Sequence, residues 1–119
     1  IPVGLKEEVF IKRLDGPLFF GNTSDFQELA TRIPDTATNL IIRMGKVPYM
    51  DQSGLYAIED LLLRLNRQGV IIVLVNLQKQ PRVMMEKIDI IPDLVANERI
   101  FNSFSETMTY IKTNVKDVV

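Results

Sequence analysis

The stretch Val47-Pro-Tyr-Met-Asp-Gln-Ser-Gly-Leu55 decides how this chain folds, because the hydrophobic period changes across it. Upstream, Asn39-Leu-Ile-Ile-Arg-Met44 is a short apolar run rich in β-branched side chains and followed by Gly45, which reads as a buried strand. Downstream, Leu55, Ile58, Leu61, Leu62 and Leu65 recur at helical spacing up to Gly69, a natural C-terminal stop. A helix is therefore expected from about Ser53 to Gln68. The quoted stretch is the loop that joins the end of a strand to the start of a helix. In open α/β sheets, ligands and partners gather outside the carboxyl ends of the strands. The polar cluster Asp51, Gln52 and Ser53 is expected at that rim.

Ser53 admits two roles. In the first it is a helix cap, or a first-turn residue beside a cap supplied by Asp51; side-chain oxygens there satisfy amide donors that the helix leaves unpaired. Asp51 also complements the positive end of the helix dipole. In the second, the Ser53 hydroxyl faces solvent at the helix N-terminus, where it binds an anion or accepts a phosphate and so adds about two negative charges to a recognition surface. Gly54 suits both, because it permits close backbone approach.

Working outward, Val70-Ile-Ile-Val-Leu-Val75 is apolar without alternation, the pattern of a strand buried on both faces and parallel to the strand at residues 39–44. Asn76 falls at its carboxyl end, on the same rim as Ser53, as a turn residue and a second candidate contact. Toward the N-terminus, Glu8 to Leu14 reads as a strand and Asp15-Gly16-Pro17 as a turn. Leu18-Phe19-Phe20 is expected to pair back on that strand as a hairpin ending at Gly21-Asn22. Thr23 to Ile33 is expected to be a first helix, stopped by Pro34. Toward the C-terminus, Pro81 suits the first turn of a helix reaching Ile88. Ile90 to Leu94 reads as a loop or helical turn, and Ile100-Phe101 as a short edge strand. Ser103-Phe-Ser-Glu106 is a capping box that opens a last helix with Phe104, Met108 and Ile111 on its inner face. On the central helix, Asp60 and Arg64 are spaced for an i,i+4 ion pair.

Composition narrows the chemistry. The 119 residues carry 14 Lys+Arg against 15 Asp+Glu, with the signs mixed along the chain, which gives nucleic-acid binding little electrostatic support. With no cysteine and no histidine, the chain lacks thiolate chemistry, the Ser-His and Cys-His mechanisms and the side chains of most zinc sites. No dinucleotide or phosphate-binding glycine loop and no calcium-loop spacing occurs in the sequence. Asp51 and Ser53 without a base make a poor catalytic set. The expectation is a non-enzymatic domain with no cofactor and no metal site. The longest apolar run, at residues 70–75, is far short of the roughly 20 residues that span a bilayer as a helix.

Asp51-Gln52-Ser53-Gly54-Leu55 resembles the Asp-x-Ser-Gly-Leu loop of STAS domains, a group shared by anion transporters and anti-sigma-factor antagonists. Asp15-Gly-Pro-Leu-Phe-Phe-Gly-Asn22 is similar to the second-strand segment of the STAS domains in SulP-type transporters. Val47-Pro-Tyr-Met-Asp51 and Leu55-Tyr-Ala-Ile-Glu59 also look more like the transporter branch. The resemblance runs from about Val9 to Val115. It implies a STAS-like α/β fold over residues 1–119: a mixed, mostly parallel central sheet of about four or five strands flanked by about four helices.

The function implied is that of a regulatory and interaction domain, the C-terminal cytoplasmic part of a multi-pass transporter for sulfate or similar anions. Its partners would be the transmembrane part of the same transporter, a cytosolic protein or a second copy. The chain opens on Ile1-Pro2 rather than on methionine, which fits a piece cut from a longer protein. The resemblance points to Ser53, Asp51, Gln52 and Gly54 as a phosphorylation, anion-binding or partner-binding loop, with Asn76 and Asn22 as further rim contacts. In the antagonists the serine matching Ser53 is phosphorylated by a partner kinase, so the alternative is a stand-alone antagonist switched at Ser53. Gln52 stands where antagonists usually have Ser or Thr, which argues against carrying their kinase switch over to this chain. A third possibility is a sensor that binds a nucleotide or an anion at the helix N-terminus.

Overall fold

The computed structural model describes residues 9–18, 28 and 31–114. Its strands are β1 (Val9–Asp15), β2 (Asn39–Lys46), β3 (Ile71–Val75) and β4 (Ile100–Phe101). They form one sheet in the order β1-β2-β3-β4, and every pairing is parallel. The helices are α1 (Gln52–Arg67), α2 (Lys79–Lys87), the single turn α3 (Ile90–Asp93) and α4 (Phe104–Asn114), with a 3-10 turn at Asn97–Arg99. This is the parallel-dominated α/β sheet with flanking helices that the sequence implies.

The continuous apolar runs occupy the two middle strands, where both faces are covered. In β2 the side chains of Leu40, Ile42 and Met44 face α1, and they join Ile72 and Leu74 of β3 and the inner stripe of α1 in the main core. Ile41, Val73 and Val75 point the other way and form a smaller core with Ile111 of α4. The helices that cross over between the parallel strands lie on the main-core face, and α4, which follows β4, covers the other, so neither set of side chains faces water. Thr107 is fully buried in the inner stripe of α4; its hydroxyl donates to the Ser103 carbonyl at 2.9 Å, which removes the cost of burying it.

Helix α1 ends where Gly69 takes φ +83, with the Gly69 N–H on the Asn66 carbonyl and the Val70 N–H on that of Leu65. This is the Schellman arrangement, in which a left-handed glycine ties off the last carbonyls and turns the chain straight into β3. Ser103 caps α4 as expected, accepting from the Glu106 N–H at 3.1 Å. Asp60 and Arg64 pair at 3.3 Å on the outer face of α1. Helix α2 starts two residues before Pro81, which still falls within the first turn, where no N–H is needed.

The hairpin expectation is corrected. The Gly16 N–H donates to the Lys46 carbonyl at 2.8 Å, and Leu18 forms a parallel bridge with Met50. After a register break between Arg13 and Asp15, the chain keeps running alongside β2 instead of folding back on β1. The turn residues produce a jog rather than a reversal. Phe19, Phe20 and Asn22 lie outside the described residues, as does most of the first expected helix, of which residues 28, 31 and 32 are helical.

Candidate functional site

The end of β2, the loop after it and the start of α1 meet at the carboxyl rim of the sheet. Asp51 is the N-cap of α1: its backbone is extended (φ −88, ψ −178) and its Oδ1 accepts from the Gly54 N–H at 2.7 Å. Ser53 is therefore a first-turn residue, the second in the helix, and it is half-buried. Gln52 is exposed and donates from Nε2 to the Tyr56 hydroxyl at 3.0 Å, one turn further on. The first turn of α1 holds no acidic side chain, so the Asp51 cap is what faces the positive end of the dipole.

Gly54 is buried because a strand residue lies directly beneath it. A Cβ at position 54 would stand 2.9 Å from the carbonyl carbon and from the Cβ of Leu18, and closer still to the Leu18 carbonyl oxygen. Leu18 is itself held: its N–H donates to the Tyr49 carbonyl at 2.9 Å, and its carbonyl accepts from the Asp51 N–H at 3.0 Å. The opposite edge of the loop is gripped by Gln80 of α2, which binds both the N–H and the carbonyl of Met50.

Asp51 to Gly54 thus form one unit, whereas Asn76 is tied to β4. Asn76 takes φ 58 at the end of β3, donates its N–H to the Phe101 carbonyl at 2.8 Å and packs beside Gly45. Its left-handed backbone is the turn role expected of asparagine. Asn22 lies outside the described residues. Sequence reasoning missed Leu18 and Gln80, since a leucine after a turn and a glutamine in a polar segment carry no local signal of a long-range contact.

Removing the cap has a predictable cost. Asp51→Ala is expected to lose about 1 kcal/mol of stability and Asp51→Asn only a fraction of that, since asparagine caps as well. Urea titrations at unchanged slope would check both. Equal midpoints for Ala and native chains would mean that the cap bond adds nothing.

The geometry defines a class: a small parallel α/β domain whose polar, partly exposed loop sits at the N-terminus of its central helix, on the carboxyl rim. A family model described as STAS domain matches residues 2–107, and the chain belongs to that family. It is 32% identical over 90 residues, 72% of its length, to a Bacillus subtilis (strain 168) protein whose name, YvdB, places it provisionally among sulfate transporters. The chain spans only 17% of that relative. It also resembles the crystal structure of a sulfate transporter family protein from Wolinella succinogenes, with TM-score 0.81 and 26% identity over 98% of this chain and 91% of the other. The unphosphorylated anti-sigma factor antagonist SpoIIAA shares the fold, with TM-score 0.60 and 16% identity over 86% of each chain. Among the described residues no helix is long and apolar enough to cross a membrane.

Proposed function

We propose that the chain is the non-catalytic regulatory domain of a SulP-type transporter for sulfate or a similar anion, held at the cytoplasmic face of the membrane by the transmembrane part of the same protein. The observation that carries this is the match to a relative named for sulfate transport, of which the chain spans 17%. A domain of this size leaves room for a transmembrane remainder that would hold the transport site. The domain acts by contact. Its α1 N-terminal loop, with Asp51, Gln52, Ser53 and Gly54, faces the membrane part, a second copy or a cytosolic protein. A contact that is stronger by about 1.4 kcal/mol in one transport state than in the other shifts their ratio tenfold. Asn76 belongs to the same rim through its place at the end of β3.

Ser53→Asp tests the loop. An acidic residue in the first turn of α1 suits the dipole and leaves the Asp51 cap in place, so the melting temperature is expected to stay within a few degrees of native. Anion flux through the full-length protein is expected to change severalfold at equal membrane abundance. Unchanged flux would remove Ser53 from the regulatory contact. Fractionation of native cells, probed with antibody to this domain, tests the wider proposal. A band much larger than this chain in the membrane fraction supports it, and a small soluble band overturns it.

A further inference from the structure

Residues 49–51 run extended into α1, so successive peptide groups point to opposite edges. On one edge, Leu18 takes the Tyr49 carbonyl and the Asp51 N–H. On the other, a single side chain takes both groups of Met50: Gln80 Oε1 accepts from the N–H at 2.9 Å, and Gln80 Nε2 donates to the carbonyl at 3.0 Å. A primary amide offers the same donor and acceptor as the edge of a strand. Among the described residues no strand is available at that edge, because β3 stops at Val75 opposite Arg43. Gln78 uses the same chemistry nearby, donating from Nε2 to the Gly45 carbonyl at 2.9 Å. Side chains that flank the start of α2 therefore continue the pairing that β3 leaves unfinished. Met50 is fully buried, so without Gln80 its peptide groups would lose their partner in a place water reaches poorly.

We propose that Gln80 is a latch, the positioning residue through which α2 sets how readily the segment from Met50 to Gly54 opens while the sheet stays folded. The Asp51 cap and Ser53 lie within that segment, so α2 governs the presentation of the loop from a position outside it. The latch concerns the loop used in the proposed function but does not rest on transport. Amide exchange in this chain reads the latch, and flux through the full-length protein reads the function, so one can fail without the other.

The test is residue-resolved hydrogen exchange on two variants. Gln80→Met keeps the side-chain length and removes both bonds. Gln80→Glu keeps the acceptor but turns a second oxygen toward the Met50 carbonyl, until protonation restores a donor. In Gln80→Met the Met50 amide is expected to exchange about tenfold faster, the gain from losing one hydrogen bond of ordinary strength. The amides of Asp51 and Gly54 should follow it, and that of Leu74 in β3 should change much less. Gln80→Glu should fall between the native chain and Gln80→Met at neutral pH, because an acceptor for the Met50 N–H remains while the bond to the Met50 carbonyl is replaced by repulsion. Corrected for intrinsic rates, it should gain further Met50 protection as the pH falls through the carboxyl's titration, which burial and the facing carbonyl push upward, while the native chain shows no such gain. Because this compares one molecule with itself, it decides the matter even if Gln80→Met folds poorly. An equal acceleration at Met50 and Leu74 would reduce Gln80 to a contributor to global stability and overturn the latch. So would unchanged exchange at Met50, or a Gln80→Glu profile without a pH-dependent recovery.

Discussion

Gly54→Ala is expected to melt roughly 10 °C below the native chain, a loss of about 2–3 kcal/mol. Helix propensity predicts the opposite sign, since alanine is better than glycine inside a helix by about 1 kcal/mol. Tertiary contact decides the outcome. The added methyl would overlap the Leu18 carbonyl oxygen and stand 2.9 Å from its carbonyl carbon. That backbone cannot yield cheaply, because it is bonded to Tyr49 on one side of the bridge and to Asp51 on the other. Relief requires either lifting α1 off the sheet or parting Leu18 from the loop. Both displace Asp51, whose carboxylate caps the helix through the Gly54 N–H itself. Thermal melts followed by circular dichroism would test this directly. A variant as stable as the native chain would show that the close approach of Leu18 to α1 is not required.

Leu74→Asp is expected to abolish cooperative folding at 25 °C. Leu74 is fully buried in β3, paired with Ile42 on one side and Ile100 on the other, and its side chain lies in the main core beneath α1. An ionised carboxylate there would be surrounded by apolar side chains and cut off from water. It must either stay charged at prohibitive cost or take up a proton and remain a poorly satisfied polar group. Either penalty is large beside the 5–15 kcal/mol, or about that, which holds a domain of this kind together. Leu74→Ala is the control: it should lose about 2–5 kcal/mol and still unfold cooperatively. Near-UV circular dichroism and the shape of the melt distinguish the two. A Leu74→Asp melt that is cooperative and close to native would place Leu74 outside the core.

The two predictions differ in how far the sequence foretells them. Leu74 sits in a run of six apolar residues, and such a run belongs in the middle of a parallel sheet whatever its neighbours are. Gly54 is legible only in part: a glycine there permits close backbone approach, but that the Leu18 carbonyl is what approaches cannot be inferred from residues 47–55. The same division runs through the rim. Asp51 as a cap, Ser53 as a first-turn residue and Asn76 as a turn are readable because each depends on residues within a few positions. The grip of Gln80 on Met50 spans 30 positions in the chain and depends on where β3 happens to stop.

The sequence by itself determined the parts of this protein whose cause is local. The 3.6-residue stripe of α1, the left-handed Gly69 that ends it, the Ser103 box that opens α4 and the unbroken apolar runs of β2 and β3 follow from short-range sterics, capping and burial period. Only the tertiary structure decided partnership. It turned the expected hairpin at Asp15-Gly16-Pro17 into a jog along β2, set Leu18 under Gly54, and brought Gln80 to the open edge of Met50. A strand's pattern states which face is buried but not which edge is occupied, because backbone donors and acceptors are the same in every residue but proline. The choice among edges is made when the layers pack, and the loop that carries Ser53 is shaped by that choice.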